Sequence, residues 1–211
     1  MTLSYDTIIS VARRNPTRAD VLAAAERLLT AEGPEALSMR RLASEVGASY
    51  QVVYSRIGGK GAIGRALHDE GFRRLTEWAT RVRETSVAEG ADETAVLQSM
   101  GRAYLALAVD HPRLFDVMFG VPITEFTRDD QARAVAREGF RRTWITASRA
   151  WLDAHHPERP PRSAVRLAWR LWTAVHGITV LHVAGHECPS GDAAAEIDAA
   201  IDRNLVDPLA R

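Results

Sequence analysis

The sequence has one cysteine, one lysine, no long apolar run and no excess of charge of either sign. Cys188 has no second cysteine to pair with, so we expect a reducing, intracellular setting. No stretch approaches the roughly 18 uninterrupted apolar residues of a membrane span, because residues 167–184 include Arg170, His176 and His182. The opening residues lack the pattern of a secretory signal, so we expect no membrane partner and a cytoplasmic location.

The balanced charge excludes a uniformly basic nucleic-acid binder, because the chain has 27 basic and 27 acidic residues. The charges are divided unevenly along the chain, however. Residues 1–83 carry 13 basic and 9 acidic side chains, or +4, and residues 84–211 carry 14 and 18, or −4. This division predicts a modular protein with a basic first part, which also holds Lys60, the only lysine.

Three short helices are predicted within residues 18–57. Each begins at a side chain able to cap it and ends at a glycine; the caps are Thr17, Ser38 and Ser49, and the glycines are Gly33, Gly47 and Gly58. Longer helices are predicted over residues 60–84, 93–109, 112–118, 128–154, 164–186 and 192–206. The fold class is therefore all-α, with a three-helix N-terminal domain, a larger antiparallel helical bundle and about nine to ten helices.

The second and third helices form the layout of a helix-turn-helix. Ala43 and Gly47 are expected to permit close approach at the turn, and Ser49, Tyr50 and Gln51 occupy the part of the second helix that reaches base edges. Glutamine can bind adenine bidentately, and tyrosine can contact a base or a phosphate. The spacing alone favours a DNA-binding motif and a small structural bundle about equally.

The segment SMRRLASEVGASYQVVYSRIGGKGAI, residues 38–63, resembles the DNA-binding domain of TetR-type transcriptional repressors. The shared pattern is a hydroxyl residue opening the second helix, Leu-Ala, Gly-x-Ser at the turn, a tyrosine and a downstream lysine. These features fall on Ser38, Leu42-Ala43, Gly47 with Ser49, Tyr54 and Lys60. The resemblance implies a DNA-binding domain over residues 1–65, ordered from about residue 17, and an effector-binding and dimerisation domain over 66–211.

The resemblance also implies roles for individual side chains. Lys60 would open the fourth helix, where a cation and free backbone N–H groups can hold a phosphate together. Ser38 and Tyr54 would hydrogen-bond the DNA backbone, and Arg40 and Arg41 would add charge. The alternative for Tyr54 is a tyrosine at the edge of the core.

Two positions depart from the family pattern. Ile57 replaces the usual aromatic residue, and Gly61 follows Lys60 where an acidic helix former is common. Together with Gly58 and Gly59, Gly61 indicates a loosely held start to the fourth helix.

Aromatic residues of the second domain, with one methionine, are candidates for an effector pocket between helices. The candidates are Tyr104, Phe115, Met118, Phe119, Trp144, Trp169, Trp172 and His176. Taken singly, aromatic residues at helical spacing are more often core, and His176 is equally a polar contact for the effector or a core histidine. The resemblance favours the pocket, because the larger domain of TetR-type proteins generally binds an effector and forms the homodimer.

Residues 104–120 and 172–181 resemble the effector-domain subtype named after a Trp-His-Gly signature. His176 and Gly177 match it, Val175 stands at the tryptophan position, and Trp172 lies one turn upstream. A glycine inside a helix costs ~1 kcal/mol relative to alanine, so Gly177 predicts close backbone approach. We expect the helices at 128–154 and 164–186 to form a four-helix dimer interface that includes Trp169, Gly177, Val180 and Leu181; the alternative is packing within one subunit.

The leading hypothesis is a repressor, not an enzyme, that binds a palindromic operator as a homodimer and is released by a small apolar effector. Its rivals are a helical enzyme such as a metal-assisted hydrolase and a helical binding module without DNA function. His182, His186 and Cys188 have a zinc-like spacing, but the sequence supplies no defined third and fourth ligand. We therefore expect no metal and no cofactor.

Overall fold

The structure is a computed structural model that describes residues 15–120, 123 and 125–206. These residues form ten α-helices: α1 (Arg18–Glu32), α2 (Met39–Glu45), α3 (Tyr50–Ile57), α4 (Lys60–Ala88), α5 (Glu93–Asp110), α6 (Pro112–Phe119), α7 (Asp130–Phe140), α8 (Thr146–His155), α9 (Arg162–Val183) and α10 (Ala193–Val206). The described residues include no strand, so the all-α prediction is confirmed.

Several helices differ from their predicted bounds by a few residues, as α4 does by ending at Ala88 and not at residue 84, and two of them differ for local reasons. The predicted helix 128–154 is α7 and α8 joined by a π-helical segment, Arg141–Ile145, so the path is continuous but its middle turn is wider. The predicted helix 164–186 ends early, at Val183, because Gly185 adopts a φ of 83° and the N–H of His186 turns back to the carbonyl of Leu181.

The described residues fall into two compact units. The first contains the described residues up to Leu67 and the described part of Val121–Thr127, and the second contains His68–Gly120 and the described residues from Arg128 onwards. The first unit therefore takes the opening of α4 and a few described residues from between α6 and α7. The sequence predicted a boundary after residue 65 but not the contribution of Ile123 and residues 125–127.

The first unit packs α1, α2 and α3 around a small apolar core. Thr17 and Asp20 form the predicted capping box at the start of α1, with the Asp20 N–H donating to Thr17 Oγ1 at 3.1 Å. Val21, Leu42 and Val53, one from each helix, are fully buried. Each such side chain stabilises the fold by about 1.5–3 kcal/mol, so these contacts orient α3.

Glycines on α4 explain how Glu125 and Phe126 pack against its first turns. A Cβ on Gly61 would lie 2.6 Å from the Glu125 carbonyl oxygen, and a Cβ on Gly64 would lie 2.6 Å from the Cβ of Phe126. Real Cβ atoms do not approach that closely, so glycine is required at both positions. Gly61 had indicated a loosely held helix start; the structure instead places it where the Glu125 backbone approaches α4.

The second unit is a helical bundle in which α5, α8, α9 and α10 share one core. Leu97, Leu152, Leu167 and Ile197, one from each of these helices, are fully buried. Gly101 permits α5 and α10 to approach, because a Cβ there would lie 2.6 Å from Ile197 Cγ2. In the part of the chain that the structure describes, no helix has the length and apolar character needed to cross a membrane.

The glycine packing predicts different costs for two alanine substitutions in α4. Gly61→Ala should lower the free energy of unfolding by about 1–3 kcal/mol, because the new Cβ meets backbone. The higher helix propensity of alanine offsets up to ~1 kcal/mol of this loss. Gly71→Ala is the matched control: its Cβ meets side chains and no backbone, namely Met118 at 2.6 Å, which is flexible, and Leu114 at 3.4 Å. Urea denaturation followed by circular dichroism measures both, and a smaller loss for Gly61→Ala than for Gly71→Ala would contradict the packing argument.

Candidate DNA-binding surface and ligand cavity

Helix α3 presents two tyrosines on its outer face. Tyr50 and Tyr54 are 49% and 54% exposed, and their rings stack with centroids 6.1 Å apart and planes 14° from parallel. The opposite face of α3 is buried through Val53 and Ile57. Tyr54 therefore does not lie in the core, and the aromatic pair is available to a partner outside the unit.

The predicted caps position α3 and its neighbour. Ser38 Oγ accepts the N–H of Arg41 at 3.3 Å at the start of α2, and Ser49 Oγ accepts the N–H of Val52 at 3.4 Å at the start of α3. Gly47, in the turn between them, has a φ of 63°, a conformation that favours glycine. Nothing lies within 4 Å of the position of a Gly47 Cβ, so the prediction that this glycine permits close approach is wrong.

The arginines of this unit differ in their contacts. Arg41 forms an ion pair with Glu32 at the end of α1. Arg56 reaches the residues before α1, with Nε donating to the Pro16 carbonyl at 3.1 Å and Nη2 to Asn15 Oδ1 at 2.9 Å. Arg40 is exposed and has no ion-pair partner among the described residues. Of the two arginines predicted to contact DNA, Arg40 is thus the one whose charge is uncompensated.

Lys60 is the first residue of α4, as predicted. The first N–H groups of a helix have no partner within it, so they and an ammonium group can together bind an anion. Tyr54 belongs to the same neighbourhood, since its Cε2 lies 4.0 Å from the position of a Cβ on Gly59. Gln51 is exposed on α3. The structure therefore brings the predicted tyrosine and lysine close together at one surface of the first unit.

The second unit contains a cavity of about 310 Å³. Five of the predicted pocket residues line it, namely Met118, Phe119, Trp144, Trp169 and Trp172. Apolar residues absent from the prediction complete the wall; they are Phe72, Leu75, Ala132, Ala136 and Phe140. The volume is at the lower end of the range for small-molecule sites, and its wall is mostly apolar.

The other predicted pocket residues lie beside this cavity. Tyr104 and Phe115 are buried in the core, at 2% and 3% exposure. His176 and Phe115 line a second space of about 620 Å³ between α6 and α9, and Phe119 lines both spaces. His176 packs against Phe119 and Trp172, with ring centroids 4.8 Å and 5.1 Å away. His176 therefore stands behind the wall of the first cavity.

A buried hydrogen bond joins Tyr104 and His176, with Tyr104 Oη 2.7 Å from His176 Nδ1. Burial raises the pKa of the Tyr104 hydroxyl above its ordinary value and lowers the pKa of His176 below 6.5. Both shifts favour the neutral forms. The hydrogen bond therefore joins a neutral phenol to a neutral imidazole, and it holds the imidazole in place.

The π segment Arg141–Ile145 lies at the cavity. Thr143 and Trp144, within the segment, line the cavity together with Gly139 and Phe140, which precede it. Gly139 permits close packing on α4, because a Cβ there would lie 2.8 Å from Thr76 Oγ1. Single π turns inside α-helices are frequent at functional sites, so this wall is a plausible ligand contact on independent grounds.

Four ionisable residues of the cavity were missed from the sequence. His68 is buried, at 1% exposure, and its Nδ1 lies 2.9 Å from Asp69 Oδ1. The others are Arg128, Arg133 and Arg137, all exposed. The sequence contained one indication of these arginines. Ala132 and Ala136 are four residues apart, and so are Arg133 and Arg137, which places the two pairs on adjoining faces of α7.

The predicted dimer residues lie on the outer surface of α9. Trp169, Val180 and Leu181 are 57%, 41% and 55% exposed. Nothing lies within 4 Å of the position of a Cβ on Gly177. The described part of the chain thus gives no packing reason for a glycine there, and the close approach stays a prediction about a second subunit.

The residues with zinc-like spacing do not share one helix. His182 and His186 are exposed on either side of the end of α9, and Cys188 Sγ lies 3.7 Å from Ser190 Oγ. Across residues 15–120, 123 and 125–206, no three histidine, cysteine or acidic side chains are grouped so as to hold a metal ion.

Comparisons with known families match both parts of the chain. The model described as bacterial regulatory proteins, tetR family, matches residues 21–76, and the model of a tetracyclin repressor-like C-terminal domain matches residues 97–206. A search of curated proteins finds no significant match.

Solved structures of similar fold cover nearly the whole chain. A protein with unknown function from Rhodococcus sp. RHA1 is 26% identical, with a TM-score of 0.72 over 92% of this chain and 95% of that one. The regulatory protein SCO4313 is 25% identical, with a TM-score of 0.70 over 90% and 95%. FadR from Thermus thermophilus, a TetR-family repressor solved with lauroyl-CoA, is 19% identical, with a TM-score of 0.59 over 92% and 96%, which shows the fold alone.

The Tyr104–His176 pair predicts a pH-dependent contribution to stability. Because folding lowers the pKa of His176, the unfolded chain binds more protons below pH 6.5. The stabilisation is therefore present above about pH 6.5 and is lost as the pH falls below it. His176→Asn, which keeps an acceptor for Tyr104 but does not titrate, should flatten the fall in unfolding free energy below pH 6.5.

Urea denaturation at a series of pH values measures this slope. His186→Asn is the control, because His186 is exposed and has no part in the Tyr104 contact. Equal slopes in the wild type and His176→Asn would contradict the assignment of the effect to His176.

Proposed function

The chain belongs to the TetR family of bacterial regulatory proteins, and we propose that it is a repressor that binds a palindromic operator as a homodimer and is released by a small, largely apolar effector. The observation that carries the proposal is the surface formed by α3 and the start of α4, where Tyr54, stacked with the exposed Tyr50, lies beside Gly59, the residue before Lys60 at the helix N-terminus. Such a regulator acts on the chromosome, which we propose places it in the cytoplasm.

In the proposed complex, α3 enters the major groove. Gln51 and Tyr50, in its first turn, reach base edges, while Tyr54, Lys60 and Arg40 contact phosphates. Ser38 and Ser49 already accept backbone N–H groups, but each hydroxyl retains a hydrogen to donate to a phosphate. Arg41 would contribute only if its pair with Glu32 opened.

Release by an effector requires two states of the protein with different affinities for the operator. An effector bound in the 310 Å³ cavity shifts the population away from the DNA-binding state. The size of the shift is set by the ratio of the effector's affinities for the two states. The aromatic wall of the cavity, with Trp144 and Trp172, supports an effector that is mostly apolar. Met118 and Phe119 bring α6 to the same wall.

We propose that the outer face of α9 forms the dimer interface. Trp169, Gly177 and Val180 recur at helical spacing, and the two large residues are well exposed in the single chain. Gly177 would admit a backbone or side chain of the second subunit. Since Trp169 also lines the cavity, a partner subunit on this face would cover one of its walls.

We also propose that the effector domain is of the Trp-His-Gly subtype. Val175, at the tryptophan position, is fully buried. Trp172 stacks on His176 at an angle of 25°, so an indole packs against the signature histidine from one turn earlier. This contact supports the assignment despite the change at position 175.

The DNA-binding proposal predicts losses at two side chains. Lys60→Ala should weaken binding to DNA from upstream of the gene and lower the slope of log affinity against log salt by about 1, because one phosphate contact is lost. Tyr54→Phe should weaken binding without changing that slope, because its hydroxyl is neutral. Electrophoretic mobility shifts at several salt concentrations measure both effects.

Arg203→Ala, on α10, is the control for removing one positive charge and should leave both quantities unchanged. Unaltered binding by both Lys60→Ala and Tyr54→Phe would contradict the proposed surface. A wild-type chain with no preference for its upstream DNA would favour the helical binding module.

The dimer proposal predicts that charge on the α9 face separates the subunits. Val180→Arg should raise the dissociation constant of the dimer at least tenfold, because an arginine in a close apolar interface is desolvated without a partner. Val87→Arg is the matched control, since Val87 is also an exposed valine, on α4 and outside the proposed interface. Sedimentation equilibrium measures the constant, and a wild-type monomer, or a Val180→Arg dimer as tight as the control, would contradict the interface.

A further inference from the structure

We propose that the effector is a small amphipathic anion, whose apolar body fills the aromatic cavity of the second unit and whose anionic head binds Arg128 and Arg137. This inference rests on the proposed function, in which that cavity is the effector site, and it adds the charge and orientation of the ligand.

The lining of the cavity is positively charged within an acidic part of the chain. Residues 84–211 carry 18 acidic and 14 basic side chains, yet the residues around the cavity include three arginines and no aspartate or glutamate. A wall of this composition attracts a negative ligand and disfavours a cation.

Two of the arginines are free to serve a ligand. Arg133 is engaged, since Nη2 lies 2.7 Å from Asp130 Oδ1 and Nη1 donates to the carbonyl of Arg128. Arg128 and Arg137 have no side-chain ion pair or hydrogen bond among the described residues. The Arg133 contact fixes the backbone at Arg128, which limits the positions of that guanidinium.

The cavity has a polar and an apolar side, which sets the orientation of the ligand. Arg128 and Arg137 are exposed, whereas Met118, Ala132 and Trp144 are almost completely buried. An anionic head beside the exposed guanidiniums keeps contact with water and avoids the full cost of desolvation. The apolar body then lies in the buried part, where removal from water stabilises it.

The polar groups in the buried part of the cavity wall already have hydrogen-bond partners, so they would stabilise a second charge on the ligand only weakly. The hydroxyls of Thr76 and Thr143 donate to carbonyls of their own helix, Phe72 and Gly139, at 2.7 Å and 2.8 Å. His68 Nδ1 is engaged by Asp69. A ligand with a charged group at both ends would therefore leave one of them buried and uncompensated, so we assign a single anionic head.

Carboxylates and their neutral amides give matched probes for this inference. Decanoate and 2-naphthoate carry the anionic head on a linear and on a flat body, and decanamide and 2-naphthamide have nearly the same shape without charge. Isothermal titration calorimetry with the full chain should show that at least one carboxylate binds about tenfold or more tightly than its amide, the worth of a charge-assisted hydrogen bond. This preference should shrink as salt concentration rises.

Arginine variants test the residues. Arg128→Met with Arg137→Met, which keeps two long and exposed side chains, should weaken carboxylate binding about tenfold and leave amide binding within about twofold. Arg142→Met is the matched control, since Arg142 is exposed on the neighbouring π segment but does not line the cavity. Carboxylate binding that is the same in the double variant and the wild type would overturn the inference, as would failure of both carboxylates to bind the wild type.

A cavity-filling variant separates this inference from the proposed function. Ala136→Trp places an indole in the space and should abolish binding of carboxylates and amides alike. If it does so while the arginine variants have no effect, the cavity remains the effector site and only the anionic head is wrong. If Ala136→Trp is folded by circular dichroism and binds every probe as the wild type does, the cavity is not the site and both proposals fail.

Discussion

The closeness with which other segments approach α4 is the constraint on which both candidate sites depend. At Gly61, Gly64 and Gly71 a Cβ would lie 2.6 Å from an atom of another segment. The first two glycines admit Glu125 and Phe126 next to the helix start that carries Lys60, and the third admits Met118 of the cavity wall. One glycine-rich helix thus gives each unit a contact that any larger side chain would displace.

The two units place their positive charges in different surroundings. In the first, the exposed aromatic pair and Lys60 form an outward surface, and several other charges are engaged, as Arg41 is by Glu32. In the second, Arg128 and Arg137 stand beside an apolar space inside an acidic part of the chain. A net charge of zero therefore conceals two positive sites, one suited to a polyanion and one to a small anion.

Much of the first unit was predictable because its signals are local. Caps such as Thr17 and Ser49, the glycine turn and the lysine spacing each act over a few residues, and the structure places them as the sequence indicated. The cavity was predictable in part. Large apolar side chains at helical spacing marked Met118 and Trp144 as candidates, but the spacing did not show which of the candidates face the cavity. Arg137 and the packing of Glu125 on Gly61 depend on contacts between distant segments, which no local pattern encodes.

The π segment between α7 and α8 also accommodates one additional residue. A π turn holds one residue more than an α turn, and each residue of an α-helix turns by about 100°. Trp151 and Leu152 are buried beyond the segment, and Ala132 is buried before it, so the wider turn keeps the two buried faces in phase with one residue more. Deleting one residue there would restore a regular helix from Asp130 onwards and would leave Trp151 and Leu152 turned towards the core. The additional residue therefore affects the cavity wall, which Trp144 lines, more than the packing beyond it.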